Sequence, residues 1–362
     1  MDLQEYIANN HDYIQQFKDH GLKVKKNKNL IIVKYHYDNP PTDEGTSWKR
    51  YCRGVIIDTE KNRIVCLPPP KAIGIQSKSE LPEYSGTIEY QTLIDGTMIN
   101  LFHHGGEWIV STRSEIGGNN KWLPGEHSKK PSFKDMFFEC VDKNALSELN
   151  QECSYSFVMR HRTNRNVSPI YQNEAYLVEI YSYGDTIRRL PRSEYPEIPI
   201  LINDSETDRD KFMDYHENES IPYHYKGYTV KMGDHRYKKI NPMFTKVQDM
   251  KGQTNNPFLN YISLRQSGDL KEYLRYYPEN QLQFNGYRDK IHKLSNDLYT
   301  NYKNTHIHKT NENIPYHLKP LVYEIHGNYL RTKQPTTWYD IKNYIHKLPP
   351  KKLMFAINYM TN

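Results

Sequence analysis

The sequence predicts an α+β protein in two parts: a strand-rich, mostly antiparallel region to about residue 248, followed by an all-helical segment. Three observations carry that expectation. Short β-branched or aromatic runs separated by turn residues fill residues 25 to 248. Beyond Lys246 the apolar residues recur at helical spacing instead. And 362 residues, 25% charged and 13% aromatic, suffice for two packed globular domains.

Residues 2 to 20 predict a short N-terminal helix, with Leu3, Tyr6, Ile7, Tyr13, Ile14 and Phe17 near helical spacing and Gly21 as its stop. Strands are expected at Leu30–Val33, Gly54–Ile57, Ile64–Leu67, Thr97–Phe102, Trp108–Val110, Ser156–Met159, Ala175–Tyr181 and Gly227–Met232. Gly105-Gly106 is placed for a hairpin turn. Two helices are expected near Phe133–Phe138 and Lys143–Leu149. In the last third, helical spacing runs through Leu259 to Leu264, Leu270 to Tyr277, Tyr287 to Tyr299 and Trp338 to Ile345, with Pro278, Pro315, Pro320 and Pro349-Pro350 as breaks. The domains are thus residues 1–248 and 249–362.

The net charge of +6 is unevenly placed: from Lys251 onward there are 16 Lys and Arg against 8 Asp and Glu, and before it 33 against 35. A basic C-terminal domain suits a polyphosphate partner such as RNA through counterion release, although a solvated basic surface is the commoner reading of a modest surplus. No run nears the ~18 apolar residues of a membrane span, and the N-terminus lacks a signal peptide's apolar centre. Cys52, Cys66, Cys140 and Cys153 have neither CxxC spacing nor a disulfide pattern, so reduced thiols in a soluble, cytoplasmic protein are expected. His103-His104 at a hairpin end face opposite sides and read as solvent-facing turn residues; His306 and His308, in Asn304–His308, read as surface loop; Tyr276-Tyr277 read as core or interface.

Ile88 to Ile99 reads as a strand entering a tight turn. Period-two alternation puts Glu89, Gln91, Leu93 and Asp95 on one face, so Leu93 is the odd apolar member of a polar row. On these residues alone an edge strand with an Asp-Gly turn is the simpler reading. Cations in strand-and-turn settings add to it: Arg53 before Gly54-Val55-Ile56-Ile57, Lys71 after Pro68-Pro69-Pro70, Arg113 after Ile109-Val110-Ser111-Thr112, and Lys238-Lys239 before Ile240-Asn241-Pro242. Phosphate sites need such cations, Arg as a bidentate fork and Lys as a point charge.

Together these elements resemble, in order from about residue 30 to 248, the RNA ligases of the covalent nucleotidyltransferase superfamily, especially the bacteriophage-type tRNA-repair ligases and related proteins of large DNA viruses. That family's lysine-x-Asp-Gly-Ser/Thr motif matches Leu93-Ile94-Asp95-Gly96-Thr97, and its Cys-Arg-Gly run matches Cys52-Arg53-Gly54. Its proline-rich approach to a lysine matches Pro68 to Lys71, and Ser-Thr-Lys-Gly matches Ser111-Thr112-Arg113-Ser114. Asn-Arg-Ile-Val matches Asn164 to Val167, Glu-Gly-Tyr-Val matches Lys226 to Thr229, and the lysine-rich strand matches Tyr237 to Phe244 with one residue of ambiguity. Met98, where DNA ligases and cap-forming enzymes usually carry Arg, favours the RNA ligase branch.

The resemblance implies an antiparallel nucleotidyltransferase domain, unrelated to ATP-grasp, with ATP as nucleotide, Arg53, Lys71, Asp95, Gly96, Arg113, Lys238 and Lys239 as nucleotide or phosphate contacts, and RNA met by the C-terminal helical domain. It also implies a lysyl-AMP intermediate, and here the chain departs: Leu93 has no lone pair with which to attack a phosphate. Lys226 stands where the family has a glutamate that helps hold ribose or hydrated metal, and a further acidic position appears as Val158 or a neighbour in Phe157 to Arg160. Inverting a charge at ~4 Å and effective dielectric ~20 changes an ion interaction by several kcal/mol, which argues against Mg²⁺ there. Three readings stay open: a ligase-like binding protein without self-adenylylation, an active ligase with another nucleophile such as Lys71 or Lys78 or accepting pre-adenylylated RNA, and a structural or protein-binding scaffold.

Overall fold

A computed structural model of the chain describes residues 3–36, 47–121, 131–142, 144–183, 186–190, 201–202, 205–206, 214–215, 221–252, 254, 256–310 and 313–358. The chain divides into two compact units, Met1–Thr245 and Lys246–Asn362.

The first unit opens with two helices where one was expected, α1 Leu3–Asn9 and α2 Tyr13–Asp19. The break falls on Asn10-His11-Asp12, residues that compete with the helix for backbone hydrogen bonds. The Asn10 side chain donates to the Tyr6 carbonyl at 2.7 Å, and the Tyr13 N–H closes the turn on the Asn10 carbonyl. Both helices still bury Leu3, Tyr6, Ile7, Tyr13 and Phe17, with the Tyr6 and Trp48 rings stacked 4.4 Å apart.

These helices cover one face of an antiparallel sheet of β1 Leu22–Asn27, β2 Leu30–Tyr35, β3 Arg53–Asp58 and β4 Arg63–Cys66, paired in that order. Val55 and Ile57 point to the helices, while Ile56, with Leu30, Ile32 and Cys66, packs on Phe102 and Ile116. Burial on both faces explains the unbroken apolar run.

After the short β5 Ile73–Gly74 and β6 Ile88–Thr92 come β7 Thr97–His104 and β8 Glu107–Ser111, a hairpin turning at Gly105-Gly106 as expected. Then follow α3 Phe133–Cys140, β9 Cys153–Arg160, β10 Glu174–Tyr183, β11 Ile187–Arg189, β12 Leu201–Ile202, β13 Ser205–Glu206, β14 Gly227–Met232 and β15 His235–Ile240. The second sheet runs β11-β10-β9-β7-β8 with β12 on β10, and the third β13-β6-β14-β15-β5. Pairing is antiparallel except for β10 with β12 and β15 with β5. Helix α3 lays Phe133, Met136 and Phe137 on Ile99, Phe157 and Leu177. The helix expected over Lys143–Leu149 is a 3-10 turn, Asn144–Glu148; Lys143 lies outside the described residues. His103 and His104 are half-buried rather than solvent-facing, His103 against Trp108 and His104 beside Asn29.

The second unit is helical among its described residues: Pro257–Ser267, Leu270–Tyr276, Gln281–Tyr302, Lys319–Thr332, Trp338–Lys347 and Pro350–Asn358. Pro320 and Pro350 sit in the first turns of helices rather than between them, where a missing N–H costs nothing. Tyr277 is core, its hydroxyl donating to the Val247 carbonyl at 3.1 Å. The expected loop at Asn304–His308 is instead a π-helical continuation, Lys303–His308, in which the His306 ring stacks on His326 at 3.7 Å. The chain is therefore α+β with antiparallel sheets and a helical C-terminal region. Among the described residues no helix is long and apolar enough to cross a membrane.

Candidate functional site

The third sheet supplies a polar face. Directly opposed residues share a face, and the registers align Glu89 with Lys231 and Arg236, and Gln91 with Thr229 and Lys238. The other face, Tyr90, Tyr228, Val230 and Met232, is core. Alternation therefore separates the two neighbouring lysines: Lys238 lies on the Gln91 face, and Lys239 pairs with Tyr228 on the other.

Lys238 is the focus of a cationic group. Burial, then the charges of Arg53, Lys226, Arg236 and Lys71, in that order, hold its ammonium below the ordinary lysine range. Arg53 is affected in the same sense: burial lowers its pKa, opposed by Tyr35 and reinforced by Arg236 and Arg113. Like charges held together in a low-dielectric setting disfavour their own charged forms, and an anion would relieve that cost.

Local chemistry explains how the chain assembles these cations. Arg53 donates to the carbonyls of Pro69 and Pro70 at 3.4 and 3.3 Å, so the buried prolines present acceptors. The N–H of Lys71 donates to Arg50 O at 3.0 Å, closing the run. Arg113 donates to the Tyr35 carbonyl at 3.2 Å and lies 4.5 Å over the Tyr35 ring. Gly54, at φ 105°, makes room for it, since a Cβ there would stand 2.9 Å from Arg113 Cα. Among the described residues the buried Nε atoms of Arg53, Arg113 and Arg236 have no hydrogen-bond partner. Sequence reading missed Arg236, although alternation two residues from Lys238 puts it on the same face.

The polar row expected from Glu89 to Asp95 stops early. Strand β6 ends at Thr92; Leu93 is half-buried and donates its N–H to Gly227 O at 2.8 Å. Asp95 turns inward, 6% exposed, and its Oδ2 accepts the N–H groups of Val167 and Ser168 at 2.9 Å each. Lys226 Nζ lies 3.7 Å from Asp95 Oδ1 and 5.5 Å from the Phe244 ring centre. Val167 and Ser168 thus grip Asp95, and upstream of them Asn164 Nδ2 donates to Thr97 Oγ1 at 2.8 Å. Gly96 is required by close packing: a Cβ would meet Met159 O at 2.4 Å.

These residues do not suit a divalent ion at Asp95. A carboxylate whose one oxygen holds two N–H groups and whose other faces an ammonium has little left to offer Mg²⁺, and Val158 and Met159 beside Gly96 are apolar. Of the lysines expected near Leu93, Lys78 pairs with exposed Asp214 at 3.0 Å, whereas Lys71 bears on Lys238. Lys231, on the polar face, is a buried structural cation, 2.8 Å from Glu179 Oε2 and 3.0 Å from Val178 O.

No protein-family model and no curated relative matches the chain. Among solved structures it is similar to an Aquifex aeolicus protein assigned as an ATP-dependent DNA ligase, at 12% identity and TM-score 0.44, over 77% of this chain and 72% of that one. It is similar also to two forms of an archaeal ATP-dependent RNA ligase: at 11% identity and TM-score 0.46, over 76% of this chain and 70% of that one, and at 12% and 0.46, over 78% and 79%.

Proposed function

We propose that this protein is a ligase-like binder of nucleotide or RNA phosphate that does not adenylylate itself. The observation that carries the reading is the group of Arg53, Lys71, Arg113, Arg236 and Lys238 gathered in the first unit, while the nucleophile position of the resembling motif holds Leu93. Arginine forks and point-charge lysines suit a phosphate ligand, and the cost borne by Arg53 and Lys238 is what such a ligand repays. In this reading residues 1–248 hold ATP or a phosphorylated RNA end through Arg53, Lys71, Arg113, Arg236 and Lys238, with the inward-turned Asp95 and close-packed Gly96 as structural support and Lys239 on the far face of its strand, and the basic residues 249–362 meet the rest of the RNA.

Titration of ATP and of a 5′-phosphorylated RNA against the wild type and Arg53→Gln and Lys238→Gln variants tests this. Each substitution should weaken binding roughly tenfold, the effect of removing one charge-assisted contact; unchanged affinity in both contradicts it. The retained cations also suit sealing of an RNA already adenylylated at its 5′ end, which needs no lysine at position 93. Joining of such a strand to a 3′-hydroxyl strand would establish that second reading.

A further inference from the structure

We infer that the cationic site takes its polyphosphate ligand as the bare anion, without a divalent cation, with the Lys226 ammonium as the countercharge built into the chain. The inference rests on the phosphate-binding reading above and specifies its ligand.

Three observations support it. A bound nucleotide usually brings Mg²⁺ because its negative charge must be offset and the metal needs protein or water oxygens to complete its shell. Here the offset is already built into the chain: the charges of Arg53, Lys226, Arg236 and Lys71 bear on Lys238, and those of Arg236 and Arg113 on Arg53. Second, the carboxylate that meets Lys226 is occupied, Asp95 also holding the N–H groups of Val167 and Ser168. Lys226 thereby joins the two, with Asp95 on one side and Lys238 feeling its charge on the other. Third, three buried guanidinium Nε atoms at Arg53, Arg113 and Arg236 keep donors without partners among the described residues. A buried donor left so costs about 1–3 kcal/mol, a cost that a phosphate oxygen reaching it would relieve. A metal entering with the phosphates would bring two further positive charges to a site that already disfavours its own. The chemical class is therefore a polyphosphate carrying its full charge, whether a nucleoside triphosphate, a triphosphorylated RNA end or inorganic tripolyphosphate.

The experiment is calorimetric titration of the full chain with ATP and with inorganic tripolyphosphate, in EDTA and in millimolar Mg²⁺ at equal ionic strength. The expected result is binding in EDTA that Mg²⁺ weakens about tenfold. Lys226→Met should lose about tenfold in EDTA and most of the Mg²⁺ penalty, and Lys226→Glu should reverse the sign of the Mg²⁺ effect. Equal or tighter binding with Mg²⁺ in the wild type overturns the inference and leaves the phosphate-binding reading standing. Binding of neither probe in either buffer overturns that reading, and the inference with it. The wild-type comparison decides without any variant, should one fail to fold.

Discussion

Asp95 and Lys226 form an ion pair of 3.7 Å in which the carboxylate is 4% exposed and the ammonium 23%. At that distance and an effective dielectric of ~20 the attraction is roughly 4 kcal/mol, much of it offset by desolvation. The pair joins the turn after β6 to the start of β14, and the two N–H groups of Val167 and Ser168 tie it to the segment after β9.

Removing Asp95 should therefore cost more than removing Lys226. Asp95→Ala strands two buried N–H groups and an ammonium, a loss of about 2–4 kcal/mol, whereas Lys226→Met leaves a carboxylate that keeps both N–H bonds and should cost below about 2 kcal/mol. Urea unfolding of the two variants checks this, and a Lys226→Met loss as large as that of Asp95→Ala contradicts it.

Leu93→Lys alone should not give a labelled adenylyl adduct with ATP and Mg²⁺, because Lys226 would still repel the metal beside the new amine. The double variant Leu93→Lys with Lys226→Glu is the informative one. Full adenylylation by the single variant would count against the role given to Lys226.

Phosphate affinity should fall in alkali earlier than an ordinary lysine predicts. Burial and the neighbouring cations lower the Lys238 pKa from 10.5, so the fold releases that proton while an unfolded lysine still holds it. Affinity is full below the lowered value and declines as pH rises through it. The unfavourable contribution of this charge to stability is present below the same value and is relieved toward pH 10.5. Lys238→Arg should flatten the decline in an ATP titration across pH, and an unaltered profile would argue against Lys238 as the titrating contact.

The helical unit should be acid-sensitive. Burial first, and then the charge of His326, lower the His306 pKa from 6.5, and the buried Nε2 of His306 and Nδ1 of His326 have no partners among the described residues. An unfolded histidine takes up the proton first, so stability present above about pH 6.5 is lost as pH falls through the lowered value. Thermal melts at stepwise lower pH should show this loss, and it should shrink in His306→Gln.

The strands were legible because their signal is local: Val55-Ile56-Ile57, Thr97 to Phe102 and Gly227 to Met232 carry β-branched and aromatic residues between turns. The individual cations of the site were legible from their strand-end settings, but their convergence was not. It depends on the β14–β15 register and on the room at Gly54, which no spacing in the chain reveals. Arg236 reads in the sequence as an ordinary strand arginine, and the register puts Lys239 opposite Tyr228, on the other face from Lys238. The turn of Asp95 away from the polar row is matched by two N–H groups 72 and 73 residues away, and the π-helical turn carries His306 onto a ring of another helix. Such long-range partners override local pattern.

Intact-mass spectrometry of the protein after incubation with ATP and Mg²⁺ tests the central claim most directly. The account predicts an unchanged mass, since position 93 offers a hydrocarbon; a stoichiometric gain of one AMP, reversed by pyrophosphate, would contradict it.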